Sequence, residues 1–353
     1  MKILRVLPSM DFGGIERGVY DFSLAATSLG HKVIVVSGPG RFIAPLIEKG
    51  IKWYNLPMDK KTPSVFLNSL WTLKKIIEEE SPDIIHGESR FPCWVVCTVK
   101  NHFPSTPLVT SIHGFYNLRW YSKAAGKGDR VITVSHALKK YAIEYLKVPE
   151  HKIRVVYNGV EDAFTEIEKL PSSLIRIGMI ARFSGGKGHY CFLKALKRLE
   201  NEGMKVKGLI VGEGSSRYRK KLEEWITNNT LLETIQIQHL EAKDALKYID
   251  ILVVPSTTPE GFGRTVLEAQ MSQTVVIGTN IGAVPELVED GKTGFLFNPG
   301  DDKQLAEKIR YIIQNPSSIP LIVKLAYEKA IKNFTVKKMV ENTLSVYKEL
   351  TAK

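Results

Sequence analysis

Short apolar runs alternate with amphipathic stretches along this chain, and the alternation occurs twice. In the first half, apolar runs fall at 2–7, 32–37, 52–55, 84–86, 108–111, 130–134 and 153–156. Between them the apolar spacing turns helical, at 16–29, 65–80, 94–101 and 137–145. Short apolar runs alternating with helical patterns predict parallel sheets with helices on both faces. The pattern breaks in the polar stretch 162–173, which carries Pro171, and restarts with strands at 175–180, 206–211, 234–237, 251–255, 275–278 and 294–297. A last helix spans 336–350, with Val336, Met339, Val340, Leu344 and Tyr347 at apolar positions. The reading is an α/β protein of two domains, 1–165 and 172–335.

Size and composition agree with this and narrow the class. A chain of 353 residues is long for one core and comfortable for two. Its 44% hydrophobic and 24% charged residues are those of an ordinary soluble protein. No run of about eighteen apolar residues predicts a membrane-spanning helix, and residues 1–8 read as a first strand rather than a secretory signal. Cys93, Cys97 and Cys191 argue for a reducing, cytoplasmic setting. Cys93 and Cys97 share a helix face, but no His or further Cys pair completes a metal site, so no metal is expected.

The net charge of +12 asks for an anionic partner. The basic residues are scattered rather than gathered into one arm or helix face, which argues against nucleic acid. An anionic small ligand together with an anionic membrane surface accounts for the excess, and so does a surface simply rich in Lys.

The chemistry concentrates in loops after strands. Pro259-Glu260-Gly261-Phe262-Gly263-Arg264-Thr265-Val266-Leu267-Glu268 places two glutamates eight positions apart across a Gly-rich turn. Glu260 falls on a loop at a strand's carboxyl end, and Glu268 about two turns into the next helix. That edge of an open α/β sheet is where nucleotides bind, and ionised carboxylates accept hydrogen bonds from sugar and ribose hydroxyls. Arg182 and Lys187 flank the turn Ser184-Gly185-Gly186, ahead of a helix at 190–201. The pair can close on a diphosphate, with a solvated loop carrying two surface charges as the lesser alternative. The Walker spacing is absent. Gly13-Gly14 precedes a helix and lets an anion approach its N-terminus, or makes a plain tight turn; the dinucleotide spacing is missing there. His113 sits just past the strand 108–111, and Gly212-Glu213-Gly214 marks the end of another strand. His189 reads either as a structural residue or as one that stacks on a nucleotide, and is left unassigned.

Together these residues resemble the family 4 (group 1) retaining glycosyltransferases, over nearly the whole chain and in the family's order. The resemblance runs through Gly13-Gly14, His113-Gly114, Ser135, Asn158-Gly159-Val160, Arg182 with Lys187-Gly188, Gly212-Glu213-Gly214, the Glu260 and Glu268 pair, and Thr293-Gly294. Its most specific part is the Glu-x7-Glu taken with the Arg-x4-Lys. Two positions depart: Ala181 stands where the family often has Gly, and Gly185-Gly186 makes the phosphate loop unusually flexible.

The resemblance implies the GT-B fold, two Rossmann-like doubly wound domains facing a central cleft, with the terminal helix at about 336–353 packing back on the first. The first domain would take the acceptor and the second a nucleoside-diphosphate sugar, used as co-substrate with no cofactor and no metal. Arg182 and Lys187 would neutralise the departing diphosphate. Glu268 would bind ribose, and Glu260 the transferred hexose, alongside backbone N–H groups of Gly261, Phe262 and Gly263. His113 would reach the sugar or the reacting centre, and Gly13, Gly14 and Gly212 would border the substrates. A UDP-sugar epimerase on a similar fold, or transfer to a soluble acceptor, stands as the alternative. The expected acceptor is a glycan or lipid-linked precursor of lipopolysaccharide or another surface polysaccharide. Its motivation is the aromatic and basic segment 115–123, with Lys127 and Arg130 and the patch 60–66, which suits peripheral contact with an anionic membrane. Core aromatics with solvated cations explain that segment equally well.

Overall fold

The computed structural model describes residues 1–11, 13–117, 120–231 and 233–352. The chain divides into two compact units, Met1–Gly159 together with the chain from Val336, and Val160–Thr335.

The first unit opens with β1 (Lys2–Val6), α1 (Gly14–Ser28), β2 (Lys32–Ser37), α2 (Ile43–Glu48) and β3 (Lys52–Asn55). It continues with α3 (Pro63–Glu80), β4 (Ile84–Glu88), α4 (Arg90–Val99) and β5 (Leu108–Ile112). Next come β6 (Arg130–Thr133), α5 (His136–Glu144) and β7 (Ile153–Val155). All seven strands are parallel, in the order β3-β2-β1-β4-β5-β6-β7. Local chemistry sets the helix starts. Thr62 accepts a hydrogen bond from Val65 N and Pro63 opens α3, while Ser135 caps α5 by accepting from Leu138 N. The six-residue α2 escapes sequence periodicity because it is shorter than two turns.

Alternation along each strand sorts this sheet's two faces. Ile3, Val35, Ile84 and Val109 share a core with Val19 and Phe22 of α1. Leu4, Val6, Ile34 and Ile85 pack on the other face against Leu73, Ile76 and Ile77 of α3 and Val95 and Val96 of α4.

The second unit holds β8 (Ile175–Ile180), α6 (His189–Asn201), β9 (Val206–Val211), α7 (Ser216–Asn228) and β10 (Ile235–Gln238). It goes on through α8 (Ala242–Leu246), β11 (Ile251–Val254), α9 (Arg264–Met271) and β12 (Val275–Thr279). It closes with α10 (Val284–Leu287), β13 (Phe295–Phe297), α11 (Asp302–Gln314) and α12 (Ile319–Asn333). Its six parallel strands run β10-β9-β8-β11-β12-β13. Each unit is therefore a Rossmann-like, doubly wound α/β layer in which the strand order reverses beside the first strand. The last helix, α13 (Val336–Thr351), packs in the first unit, where Met339, Val340, Leu344 and Tyr347 join the α1 core.

The expected domain boundary at 165–172 needs correction, because the units part at Gly159 and Val160. Val160 N donates to Phe334 O at 2.9 Å and Val160 pairs with Thr335, so residues from 160 onward already belong to the second unit. Among the described residues no helix is long and apolar enough to cross a membrane.

Candidate active site

A parallel sheet whose order reverses leaves a crevice beyond the carboxyl ends of the two strands at the reversal. In the second unit those strands are β8 and β11, and the loops that follow them are 181–188 and 255–263. The loops are joined to each other: Thr257 N donates to Gly186 O at 2.9 Å and Thr258 N to the same oxygen at 3.4 Å. Gly188 makes this approach feasible, since its φ is +74° and a Cβ there would overlap the Pro255 carbonyl oxygen.

Across the join, Lys187 Nζ donates to Glu260 Oε1 at 2.6 Å, and Ser256 Oγ donates to the same oxygen. Ala283 N holds the Glu260 carbonyl at 2.9 Å, so the glutamate is fixed at backbone and side chain. Both charged side chains stay accessible, Lys187 at 26% and Glu260 at 18% exposure. A cation and a carboxylate side by side, open to solvent, offer an anion site next to a hydroxyl acceptor.

The other candidates of this unit fall into place around that pair. Glu268 lies in the second turn of α9, nearly buried, with Oε1 3.6 Å from Arg264 Nε. The paired glutamates thus have different partners. Gly263 caps α9 with φ +105°. Phe262 is buried, its ring edge-on to Phe334 at 6.4 Å, so this side chain anchors the loop and leaves its backbone for a ligand. Gly261 precedes Phe262 on the same loop. Gly212 packs on the Ala181 carbonyl, where a Cβ would clash, which lets the start of the 181–188 loop lie against the end of β9. Arg182 is exposed and has no hydrogen bond or ion pair among the described residues; the structure does not bring it to the Lys187–Glu260 pair. His189 is buried between the rings of Phe183 and Tyr218. Burial, with Lys187 nearby, pushes it down to about 4, so it packs there as a neutral ring.

In the first unit the reversal lies between β1 and β4, and a charged cluster lies on it. Arg5 stands opposite His86, and Glu88 opposite Ser111, so period-two alternation places all four on one sheet face. Arg5 Nη2 is paired with Glu88 Oε1, and His113 Nε2 lies 2.5 Å from Glu88 Oε2. His86 bonds Tyr347 OH through Nδ1 at 2.6 Å and Ser111 Oγ through Nε2 at 2.7 Å. Arg5 Nη1 also donates to Tyr347 OH at 3.3 Å. Burial pushes His86 down to about 3. Burial alone would raise Glu88; the Arg5 guanidinium with His86 and His113 overrides it and holds the carboxyl well below the usual range. A cavity of about 30 Å³ opens beside Arg5, His86, Ser111, His113 and Asn158.

Gly13 and Gly14 begin α1, but the Glu16 carboxylate folds back against Gly13, where a Cβ would meet it. An approaching group therefore meets a carboxylate beside the helix N-terminus, which suits hydroxyls better than a second anion. The aromatic segment expected at a membrane is largely turned inward. Tyr121 is buried and stacks on Trp94 at 5.9 Å, and Tyr116 OH accepts from His113 N at 3.1 Å; Leu118 and Arg119 lie outside the described residues. Phe66 likewise stacks on Trp94 at 3.6 Å. Sequence reasoning missed Arg5, His86, Glu88, Ser256 and Tyr347 as site members. The available signal was an Arg inside one apolar run and a Glu ending another.

The chain as a whole resembles known proteins. The family model for glycosyl transferases group 1 matches residues 160–333, and that for glycosyltransferase family 4 matches residues 12–164. An uncharacterised glycosyltransferase of Methanocaldococcus jannaschii is 28% identical over 317 residues, 86% of each chain. A solved glycosyltransferase from Rickettsia africae superposes with a TM-score of 0.87 at 29% identity, covering 99% of this chain and 98% of that one. The Anabaena HepE structure in complex with UDP-glucose gives 0.85 at 22% identity over the full length of both chains, a likeness of fold.

The loop join makes a specific demand on Gly188. Gly188→Ala is expected to destabilise the second unit by more than about 1 kcal/mol, because Ala is strained at positive φ and clashes with Pro255. Gly185→Ala, with open space around it, is expected to change stability by less than about 0.5 kcal/mol. Urea unfolding of both variants checks this; equal midpoints would mean the join does not depend on Gly188.

Proposed function

For a chain that belongs to the family 4, group 1 glycosyltransferases, we propose transfer of a hexose from a nucleoside-diphosphate sugar, with retention of anomeric configuration. The observation that carries this reading is the Lys187–Glu260 pair, held on the joined loops after β8 and β11. Lys187, with Arg182 swinging in on its exposed side chain, neutralises the departing diphosphate. Charge stabilisation where charge develops is the kind of term that dominates catalysis, and two fixed cations supply it without a divalent metal. Glu260 accepts hydroxyl hydrogens of the hexose, and Glu268 those of the ribose. Gly261, Phe262 and Gly263 offer backbone N–H groups, and His113 contacts the sugar. The UDP-glucose in HepE supports a UDP-hexose donor. In the reaction, the bond from the anomeric carbon to the leaving phosphate oxygen breaks. The acceptor oxygen bonds that carbon on the same face, and its proton passes to a donor phosphate oxygen.

The acceptor proposed is a membrane-linked glycan of surface polysaccharide or lipopolysaccharide synthesis, met at a peripheral, anionic membrane surface. The exposed apolar face of α3 supports this better than the inward-turned 115–123 segment. Leu67 and Trp71, four residues apart, are 61% and 72% exposed, and the exposed Lys60, Lys61 and Lys75 flank them. Each basic residue near such a surface contributes about 1 kcal/mol.

NMR of a UDP-hexose incubated with the protein tests the activity. Slow release of free UDP, persisting in excess EDTA, is the expected outcome. An isomerised sugar would instead mean an epimerase, and loss with EDTA rescued by magnesium would mean a metal site. Lys187→Ala is expected to lower turnover by about 10²–10³ with the fold intact.

The two glutamates separate in steady-state kinetics. Glu268→Ala, at a part of the donor that does not change in the reaction, raises the donor KM; Glu260→Ala, at the transferred sugar, lowers kcat. The reverse pattern would exchange their roles. Flotation with phosphatidylglycerol vesicles tests the membrane reading: salt-sensitive recovery is expected, weakened by Trp71→Ala. Equal recovery with neutral vesicles, or none, would favour a soluble acceptor.

A further inference from the structure

We infer that Glu88 is a positioning residue that sets which nitrogen of His113 carries the hydrogen and where the ring points. The inference rests on the reading of His113 as a sugar contact.

Both Glu88 oxygens are engaged, and they do different work. Oε1 is paired with Arg5, and Oε2 lies 2.5 Å from His113 Nε2. An ion pair with Arg5 needs one oxygen alone. The second is given to the one member of the cluster that sits beyond a strand's carboxyl end, where β5 finishes at Ile112. Glu88 is fully buried, which shields that bond from bulk solvent. A carboxylate only accepts hydrogen bonds, and the Arg5 guanidinium keeps Glu88 ionised, so the hydrogen between them belongs to Nε2 of His113. The ring's other end is then determined. In the neutral imidazole Nδ1 carries a lone pair, and in the protein it is buried with no hydrogen-bond partner among the described residues. The histidine's own backbone is fixed as well, since His113 N donates to Tyr116 OH at 3.1 Å. Ring orientation, tautomer and backbone are thus settled before substrate arrives, leaving Nδ1 rather than Nε2 as the ring's unused acceptor. Arg5 acts one step further back: without it the buried carboxyl would take up a proton, and a protonated Glu88 could donate to the ring and reverse the tautomer.

Glu88→Gln keeps the shape and removes the acceptor-only property. In histidine-labelled protein, long-range nitrogen–proton NMR spectra report the tautomer of each of the eight histidines, and His113 is identified by its loss in His113→Ala. The wild type is expected to show His113 with hydrogen on Nε2, and Glu88→Gln to shift it towards Nδ1. Turnover of a UDP-hexose should fall about 10–100-fold, less than the ~10⁴ seen where a mis-set histidine must shuttle protons. In a His113→Ala background Glu88→Gln should cost nothing more, since the two act as one unit. If Glu88→Gln alone fails to fold, Arg5→Met with Glu88→Gln removes both buried charges together and should give the same spectrum and loss. An unchanged tautomer, or losses that multiply in the double variant, overturns the inference. A silent His113→Ala with the tautomer shift intact would remove His113 from the sugar site and still support orientation by Glu88.

Discussion

One constraint governs both halves of this chain: a parallel sheet buried on two faces must return each strand through a helix, and the winding must reverse once beside its first strand. Helices then cover everything except the strand ends. The reversal leaves an opening between the loops after β1 and β4 in the first unit, and between those after β8 and β11 in the second. Several of the candidate side chains lie at these edges or at the next strand's end. Lys187 and Glu260 are on the two reversal loops of the second unit, and Glu88 and His113 end β4 and follow β5 in the first.

The two openings use charge in different ways. In the second unit Lys187 and Glu260 are partly exposed, so water screens their pairing and either can turn to a ligand at modest cost. In the first unit Arg5 and Glu88 are buried beneath α1 and α13. Removing two charges from water is costly, and such a pair is weak evidence for stability. Its value lies in direction. A buried carboxylate with both oxygens committed, one to Arg5 and one to His113, favours a single arrangement that an apolar core could not specify. The C-terminal helix takes part, because Tyr347 from α13 supplies the hydroxyl that bonds His86 and Arg5.

Glu16 adds a smaller instance of the same logic. Its carboxylate lies where α1 would otherwise present a bare N-terminus, so the glycine pair Gly13-Gly14 does not by itself make an anion site. The distinction matters for acceptor choice, since a hydroxyl donates to a carboxylate and a phosphate repels it.

The succession of strands, their parallel pairing and the loops that carry chemistry were legible in the sequence, because apolar runs buried on both faces leave few other arrangements. The Lys187 and Glu260 loops were legible for the same reason: glycines and charges after a buried run mark a strand's carboxyl end. What the sequence left open is pairing between distant positions. Arg5, Glu88, His113 and Tyr347 lie up to 342 residues apart, and no local pattern says that strand register sets Arg5 against His86 or that α13 returns to the first sheet. Exposure was undecided too, since Tyr121 and Trp71 look alike as aromatic residues among cations, yet one is buried and the other faces solvent. The sequence determined which elements form and where their ends carry polar groups; the tertiary structure decided which of those groups meet, because hydrogen bonds and ion pairs depend on distances of a few ångströms that only packing sets.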